Sequence, residues 1–219
     1  MSAALTQYWT QVDGFSHLLS YVLLLMSLLS WTTILAKAWS FRQIRAAAVN
    51  LPAFWKSPSN QDALALLSAS DTEDVFAGLA RQALAAADPV GRSGALNAKA
   101  EISDVLTQAL RQELNRVSVK LESGLSPLAS IGATAPFVGL LGTVWGIYHA
   151  LSSVAGSGIV QIDQLARPVG EALIMTALGL IVAIPAVLAY NAFNRINRIT
   201  FAELDAFAYD LHAYLSKAE

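Results

Sequence analysis

The chain has 219 residues, of which 55% are hydrophobic and 14% are charged. A typical soluble domain carries roughly 25% charged residues, so the composition excludes an ordinary soluble globule as well as a disordered chain and predicts a membrane protein. A formal net charge of −2 leaves no basic surface for nucleic acid. Cysteine is absent and the three histidines lie far apart, so no disulfide, metal site or cofactor is predicted.

Three apolar stretches are long enough to cross a membrane as helices, which takes about 20 residues. The first, at 17–36, carries no formal charge and follows no basic segment, so a retained span is predicted rather than a cleaved signal peptide. The second is predicted at 128–154, inside an uncharged run that ends in a Gly/Ser cluster. The third is predicted at 168–193, where Glu171 is the single charged residue.

The basic residues predict the orientation of these spans. Of the 14 Lys and Arg residues, all but Arg167 fall on one side of the predicted membrane. Cytoplasmic loops carry the excess of Lys and Arg, so the N-terminus is predicted outside and the C-terminus in the cytoplasm. The predicted division is an outside N-terminus with the first span at 1–37, a cytoplasmic helical region at 38–127, the second span at 128–154, an outside loop at 155–167, the third span at 168–193 and a cytoplasmic C-terminal helix at 194–219.

The segments outside the membrane are predicted to be helical. Residues 71–74 have the pattern of a helix N-terminus with Asp71 as the N-cap, and Pro89 with Gly91 marks the end of that helix. From about Ser93 the chain has the pattern of a long amphipathic helix, which only one glycine and one proline separate from the second span.

Two apolar stripes recur at helical spacings of three and four residues. The first stripe precedes the second span and consists of Ile102, Leu106, Leu110, Leu114, Val117 and Leu121. The second stripe follows the third span and consists of Ile196, Thr200, Leu204, Phe207, Leu211 and Leu215. The predicted fold is therefore an all-α membrane protein whose second and third spans extend into long cytoplasmic helices. These stripes are expected to pack on each other, as a helical barrel when several copies assemble.

Small residues line up on the second and third spans. Four glycines of the second span are spaced 7, 3 and 4 residues apart: Gly132, Gly139, Gly142 and Gly146. A matching stripe on the third span consists of Ala172, Thr176, Gly179, Ala183 and Ala186. In lipid, helices associate through close packing at small residues, so these stripes predict helix–helix seams, either within one chain or between copies. Pro136 and Pro185 each remove a backbone hydrogen bond within a span and permit a kink.

Glu171 is the most informative residue within a predicted span. A carboxylate there costs about 2.5–3.5 kcal/mol on insertion scales and by default indicates a function, here a proton-linked or ion-linked one. The structural alternative is that Glu171, one turn after Pro168, caps the helix or pairs with Arg167. Thr143 and Thr176 place hydroxyls in otherwise apolar helices, where the structural alternative is a bond to the carbonyl one turn back.

Two stretches resemble a known family. The strings SIGATAPFVGLLGTVWGIYHAL at 130–151 and PVGEALIMTALGLIVAIPAVLAYNAFNR at 168–195 are similar to the two signature helices of the MotA/TolQ/ExbB proton-channel family. The likeness is closest to the ExbB branch, whereas the longer MotA branch, with its larger cytoplasmic insertion, is less similar. Residues 38–95 carry no motif that matches the family.

The resemblance implies properties that the composition does not show. Proteins of the ExbB branch form homopentamers in the bacterial inner membrane, with a periplasmic N-terminus, and their second and third spans line a pore that holds two ExbD helices. With TonB, such complexes use the proton-motive force to energise outer-membrane transport of iron-siderophores and vitamin B12. The family's intramembrane glutamate falls on Glu171, and its two pore threonines fall on Thr143 and Thr176.

Other functions stay open at this stage. Within the family, the alternative is a TolQ-like subunit of the Tol–Pal envelope-integrity system, because the strings separate the two branches poorly. A passive membrane scaffold would tolerate Glu171→Gln. A secondary transporter is disfavoured, since the three spans show no inverted repeat. An enzyme is not expected, because the sequence offers no phosphate loop, no Ser/His/Asp pattern and no metal-ligand spacing.

Overall fold

A computed structural model describes residues 14–88, 102–155 and 162–217, and these ranges contain helices and turns without a strand. The helices are α1 (Gly14–Val49), α2 (Leu51–Phe54), α3 (Asn60–Ser70), α4 (Phe76–Ala87), α5 (Ile102–Glu122), α6 (Leu125–Ala155) and α7 (Ile162–Leu215). Stretches long and apolar enough to cross a membrane lie within Gly14–Phe54, Ile102–Ser152 and Ala166–Leu215. The predicted all-α class with three candidate spans is thereby confirmed.

The chain divides into two compact units. As far as they are described, residues 14–35 and 124–192 form the first unit, and residues 36–123 and 193–217 form the second. The divisions fall close to the charged residues that end the three apolar stretches, namely Lys37, Glu122 and Arg195. The first unit therefore holds the apolar spans, and the second holds the amphipathic helices.

The helix that leads toward the second span is interrupted. α5 ends at Glu122, α6 begins at Leu125, and Gly124 between them has a φ of 79°. This left-handed conformation is costly for any residue with a Cβ, so a glycine is required for the break. α5 and the second span are thus separate helices, and the predicted start near Ser93 lies outside the described residues.

Side chains from α1 and α7 donate hydrogen bonds to the last backbone carbonyl groups of α5. Lys37 Nζ donates to the carbonyl oxygens of Lys120 at 3.1 Å and Leu121 at 3.0 Å. Asn197 Nδ2 donates to the same Leu121 oxygen at 2.9 Å. The last carbonyls of a helix have no intrahelical donor and carry partial negative charge. The Lys37 ammonium and the Asn197 amide therefore stabilise the C-terminal end of α5, shortly before the break at Gly124.

The helix that contains the third predicted span begins before Pro168. α7 begins at Ile162, so Pro168 lies inside the helix and not in its first turn. Glu171 is consequently in the third turn, which corrects the expectation that it caps a helix N-terminus. Within the predicted outside loop at 155–167, residues 162–167 are helical and 156–161 lie outside the described residues. Pro136 and Pro185 also lie inside helices, in α6 and α7.

The helix predicted to open at 71–74 begins instead at Phe76. Asp71 still caps it, but from farther back: its Oδ2 accepts from the backbone N–H groups of Phe76 at 2.6 Å and Ala77 at 2.8 Å. Asp74 has a φ of 53° in the turn between the cap and the helix. The prediction of Asp71 as the N-cap residue is wrong, since Val75 holds that position, although the Asp71 carboxylate supplies the capping acceptor. The helix start is also wrong, because the intervening turn is longer than in a standard capping box.

Asp71→Ala should destabilise α4 by about 1–2 kcal/mol, because it leaves two buried amides without their acceptor. Asp71→Asn keeps an acceptor oxygen and should cost less. Hydrogen exchange at the amides of Phe76 and Ala77 measures the loss directly. Ser59→Ala is the matched control, since Ser59 Oγ accepts from the Asp62 amide at 3.2 Å in α3, and it should leave α4 protected. Unchanged exchange in Asp71→Ala would show that the cap stabilises nothing.

The predicted apolar stripes lie in the second unit, and each contains one error of position. On α5 the residue buried in the middle of the stripe is Glu113, whereas Leu114 is half-buried. On α7 Ile196 is 38% exposed and Asn197 is buried in its place. The remaining stripe positions that are buried are Leu106, Leu110, Val117, Leu121, Thr200, Leu204, Phe207, Leu211 and Leu215. Both errors place a polar side chain where helical spacing alone favours an apolar one.

Contacts between α5 and α7 occur within one chain. Besides the bond from Asn197 to the Leu121 carbonyl, His212 Nε2 lies 3.2 Å from both Ser103 Oγ and Thr107 Oγ1. Buried Glu113 has its own partner, since Arg116 Nη2 donates to its Oε1 at 2.6 Å. The two stripe-bearing helices therefore meet as expected, and the buried side chains of Glu113 and Asn197 both form hydrogen bonds. A barrel formed by several copies stays a prediction.

An ion pair joins the turn before α4 to α5. Lys120 Nζ lies 2.9 Å from Glu73 Oε2 and also donates to the Glu73 carbonyl. The hydrogen bond from Lys120 holds the pKa of the Glu73 carboxyl below its ordinary value. Because the folded pKa is lower than the unfolded one, the pair stabilises the fold above the unfolded pKa. That stability is lost as the pH falls through the folded pKa.

Acidification should therefore lower the melting temperature of the unmodified protein more than that of Glu73→Gln. The difference should correspond to less than about 1 kcal/mol, since the pair is partly exposed to solvent. Thermal unfolding followed by circular dichroism between pH 7 and pH 3 measures it. Glu203→Gln, which removes an exposed glutamate of α7, should melt like the unmodified protein at each pH. Parallel curves for all three proteins would contradict a stabilising role for the pair.

Candidate functional site

The small residues of the second and third spans pack against each other within one chain. A Cβ added to Gly139 would lie 2.7 Å from the carbonyl oxygen of Met175 on α7. A Cβ added to Gly179 would lie 2.6 Å from the carbonyl oxygen of Ala135 on α6. These are backbone atoms, which no side-chain rotation can move, so only glycine allows this approach. The predicted seam between α6 and α7 is thus intramolecular.

The other predicted glycines lie along the same seam. A Cβ on Gly142 would lie 2.9 Å from Met175 Cβ, and one on Gly146 would lie 2.9 Å from Ala172 Cβ. A Cβ on Gly132 would lie 2.5 Å from Val187 Cγ2. The backbone of α7 fixes the two Cβ atoms, and the β-branched Val187 has little rotational freedom, so the seam is tight at all five glycines.

Thr143 and Thr176 meet on this seam. Thr176 Oγ1 donates to Thr143 Oγ1 at 3.4 Å, and Thr143 Oγ1 donates to the carbonyl oxygen of Leu140 at 2.7 Å. Thr143 is buried. The bond to the preceding turn, which is the structural alternative for a membrane threonine, is present for Thr143. The two hydroxyls also form a short hydrogen-bonded chain across the seam.

Glu171 pairs with Arg167 within α7. Arg167 Nε donates to Glu171 Oε1 at 3.0 Å, and the Glu171 side chain is 28% exposed. Glu171 Oε2 forms no hydrogen bond within the described part of the chain. Thr176 follows Glu171 by five positions, so the two side chains point about 140° apart around the helix axis. The structure therefore brings the two threonines together and leaves Glu171 on another face.

α1 also contacts the seam, which the sequence did not predict. Ser20 Oγ donates to the sulfur of Met175 at 3.5 Å. Phe15 packs on Trp145, with ring centroids 4.6 Å apart. Ser16 and Ser30 of α1 are buried. A stripe of serines on the first span was the available signal, since small hydroxyl residues in a span mark a helix interface as glycines do.

The comparisons with known proteins identify the family. A sequence model of the MotA/TolQ/ExbB proton channel family matches residues 73–206. The biopolymer transport protein ExbB of Xanthomonas campestris pv. campestris is 41% identical over 236 residues, covering 98% of this chain and 91% of that protein. ExbB of Neisseria meningitidis is 39% identical over 197 residues, covering 89% of each chain.

A relative from another branch is similar over a shorter stretch. The Tol-Pal system protein TolQ of Pseudomonas aeruginosa is 38% identical over 116 residues, covering 53% of this chain and 50% of that protein. The resemblance carried by the strings at 130–151 and 168–195 is confirmed, because the family match contains both strings in full. This chain, with its three apolar helices, is a multi-pass membrane protein that belongs to the MotA/TolQ/ExbB proton channel family.

Proposed function

We propose that this chain is an ExbB-like proton-channel and stator subunit of the bacterial inner membrane. It works with ExbD and TonB and uses the proton-motive force to energise outer-membrane transport of iron-siderophores and vitamin B12. The observation that carries this proposal is the similarity to ExbB proteins over nearly the whole chain, against about half of the chain for TolQ. The N-terminus is proposed to be periplasmic and the C-terminus cytoplasmic, in keeping with the distribution of basic residues.

Glu171 is the proposed site of proton coupling. It is the only carboxylic acid between Arg167 and Arg195. Arg167 holds one carboxylate oxygen, and the other is available to a proton or to a partner. In the assembled complex the proposed exchange partner is the carboxylate of an ExbD pore helix.

The threonine pair is proposed to extend the polar path into the seam. Hydroxyl groups both donate and accept hydrogen bonds, so Thr143 and Thr176 can continue a chain of hydrogen bonds between α6 and α7. Glu171 does not contact either hydroxyl in the single chain. Water or a partner side chain therefore connects them in the working complex.

A homopentamer is the proposed assembly, because one chain with three spans cannot enclose a pore. The α6–α7 seam is occupied within the chain, so other faces must join the copies. Exposed apolar side chains on those faces include Phe137, Leu141, Val144, Ile181, Ile184 and Leu188. Two ExbD helices would occupy the central pore, and the remaining apolar surface would contact lipid.

Affinity purification in mild detergent, with mass measurement and identification of the co-purifying chains, tests this function. We expect a pentamer that carries ExbD and TonB. Co-purification of Tol–Pal components in their place would establish the TolQ-like alternative. A monomer at native expression levels would contradict the proposed channel function, because one chain cannot enclose a pore.

Thr143→Val and Thr176→Val should slow siderophore uptake without abolishing it. Thr176→Val removes one hydrogen bond, which contributes about 0.5–1.5 kcal/mol, so a reduction of about two- to tenfold is expected. Thr143→Val removes two hydrogen bonds and should reduce uptake further. Thr134→Val is the matched control, because Thr134 Oγ1 makes the same kind of local bond, to the Ser130 carbonyl at 2.7 Å, on an exposed face. Equal uptake in all three variants would show that the pair has no part in coupling.

A further inference from the structure

The contacts between α5 and α7 determine which residues of the two helices lie side by side. Near one end of the pair, Asn197 donates to the Leu121 carbonyl. Near the other end, His212 Nε2 lies 3.2 Å from both Ser103 Oγ and Thr107 Oγ1. The two helices are therefore antiparallel, and each residue further along α7 is level with a residue further back along α5.

Two apolar side chains lie level with each other on the outer edges of this helix pair. Ile199 follows Asn197 by two positions, and Val119 precedes Leu121 by two positions. Two positions turn an α-helix by about 200°, so each side chain points away from the α5–α7 contact. Both side chains are more than half exposed. These two sides are called the outer edge of α7 and the outer edge of α5.

The outer edge of α7 also carries a carboxylate without a partner. Asp210 precedes His212 by two positions, so it points away from α5 in the same way as Ile199. It is exposed and forms no ion pair or hydrogen bond with another described residue. On α5 the corresponding position is Ala109, which follows Thr107 by two positions. Asp210 is therefore level with Ala109 on the outer edge of α5.

Ala109 borders a cavity of about 430 Å³ between α4 and α5, which Arg81 and Arg116 also line. Both arginine side chains are more than half exposed, whereas Glu113, to which Arg116 donates, is only 5% exposed. The guanidinium groups therefore lie at the mouth of the cavity. A guanidinium has five N–H donors, so Arg81 can bind a second carboxylate besides that of Asp74.

We propose that the outer edge of α7 in one copy of the chain packs against the outer edge of α5 in the next copy. Ile199 then packs on Val119, and Asp210 pairs with Arg81 at the mouth of the cavity. Copies inserted with one topology are related by rotation about the membrane normal, which keeps each residue at its own depth. Residues that are level within one chain therefore meet as neighbours between two chains.

A second copy is the occupant that this surface fits. The eleven positions from Ile199 to Asp210 on α7 match the ten positions from Val119 to Ala109 on α5. One helix thus carries an apolar group and an acid at the spacing at which the other offers an apolar group and a pair of guanidiniums. The interface rests on the proposed homopentamer and names the residues that join its copies outside the spans.

Disulfide cross-linking in cell membranes tests the register, since the chain has no cysteine of its own. Ala206 and Gln112 are exposed and lie seven positions from Ile199 and Val119, toward the level of the cavity. Ile199→Cys with Val119→Cys, and Ala206→Cys with Gln112→Cys, should each give covalent oligomers under mild oxidation.

The crossed pairs, Ile199→Cys with Gln112→Cys and Ala206→Cys with Val119→Cys, are the matched controls. They use the same four positions out of register by seven residues, which is about 10 Å along a helix. A disulfide joins Cα atoms roughly 4.4–6.8 Å apart, so the crossed pairs should stay monomeric on a denaturing gel.

Asp210→Asn tests the ionic contact without adding bulk. The subunit concentration at which the purified assembly is half dissociated should rise by about two- to fivefold, the loss expected for an exposed ion pair. Asp205→Asn is the matched control, because Asp205 is an exposed acid of α7 that lies seven positions before His212, on the side facing α5. It should leave dissociation unchanged.

The outcomes separate this interface from the proposed function. An assembly of several copies in which in-register and crossed pairs cross-link equally, or not at all, would overturn the interface and leave the homopentamer standing. Equal dissociation of Asp210→Asn and Asp205→Asn would likewise overturn it. An unmodified protein that is monomeric in the membrane would overturn the interface together with the proposed channel.

Discussion

Glu171→Gln is expected to abolish energy coupling while leaving the protein assembled. Glutamine keeps the size and much of the hydrogen bonding of glutamate but cannot carry the charge or exchange the proton. The side chain is partly exposed and pairs through one oxygen with Arg167, so its loss should cost the fold little. Growth on a siderophore as sole iron source should fall to that of a strain without the protein, and the assembly should be recovered in normal amounts.

Arg167→Gln separates the two roles that the ion pair allows. It breaks the contact of 3.0 Å but keeps the carboxylate, so growth should be largely retained if Glu171 acts in proton coupling. Full growth of Glu171→Gln would end the proton-coupling proposal and favour a passive scaffold. Loss of growth together with loss of the assembly, in both variants, would identify a structural ion pair.

Gly179→Ala should destabilise the membrane unit more than any other small substitution on the seam. The added methyl group would lie 2.6 Å from a backbone carbonyl oxygen, so α6 and α7 must separate. Overpacking of this kind costs about 1–3 kcal/mol, against a gain of roughly 0.5–1 kcal/mol when alanine replaces glycine in a helix. The yield and melting temperature of the detergent-solubilised protein should both fall.

Gly170→Ala is the matched control on the same helix. No atom lies within 4 Å of a Cβ built at Gly170, so this substitution should be neutral or slightly stabilising. Gly142→Ala should also destabilise the unit, because its methyl group would lie 2.9 Å from Met175 Cβ, which the backbone of α7 fixes. Equal melting of Gly179→Ala and Gly170→Ala would show that the helices do not approach each other as described.

The spans and the seam could be predicted because single, local properties determine them. Continuous apolar length predicts a span, and glycines at helical spacing predict one packed face. The start of α7 could not be predicted, because Pro168 usually marks a helix start and is tolerated inside membrane helices. The start of α4 depends on a turn that brings Asp71 back to Phe76, and no local pattern encodes that turn.

The polar contacts were harder to predict than the apolar ones. Glu113 and Asn197 are buried because each finds a specific partner, Arg116 or the Leu121 carbonyl. Such partners come from the three-dimensional packing and have no periodic signal. The contact between Thr143 and Thr176 likewise depends on how α6 is rotated against α7. The pairing of Glu171 with Arg167 could be anticipated, since both lie on one helix four residues apart.

The backbone approach at Gly139 and Gly179 also limits how the channel can move. Sliding α6 along α7 by one turn would place residues with a Cβ where the two backbones are close enough for glycine only. The two helices therefore cannot slide past each other. Within the membrane unit, α6 and α7 therefore behave as one rigid helix pair. In the proposed assembly, mechanical work would then be transmitted by tilting or rotating the α6–α7 pair as a whole against neighbouring copies. The outer faces of the pair, which carry exposed bulky apolar side chains, would be the surfaces that move against other copies in that assembly.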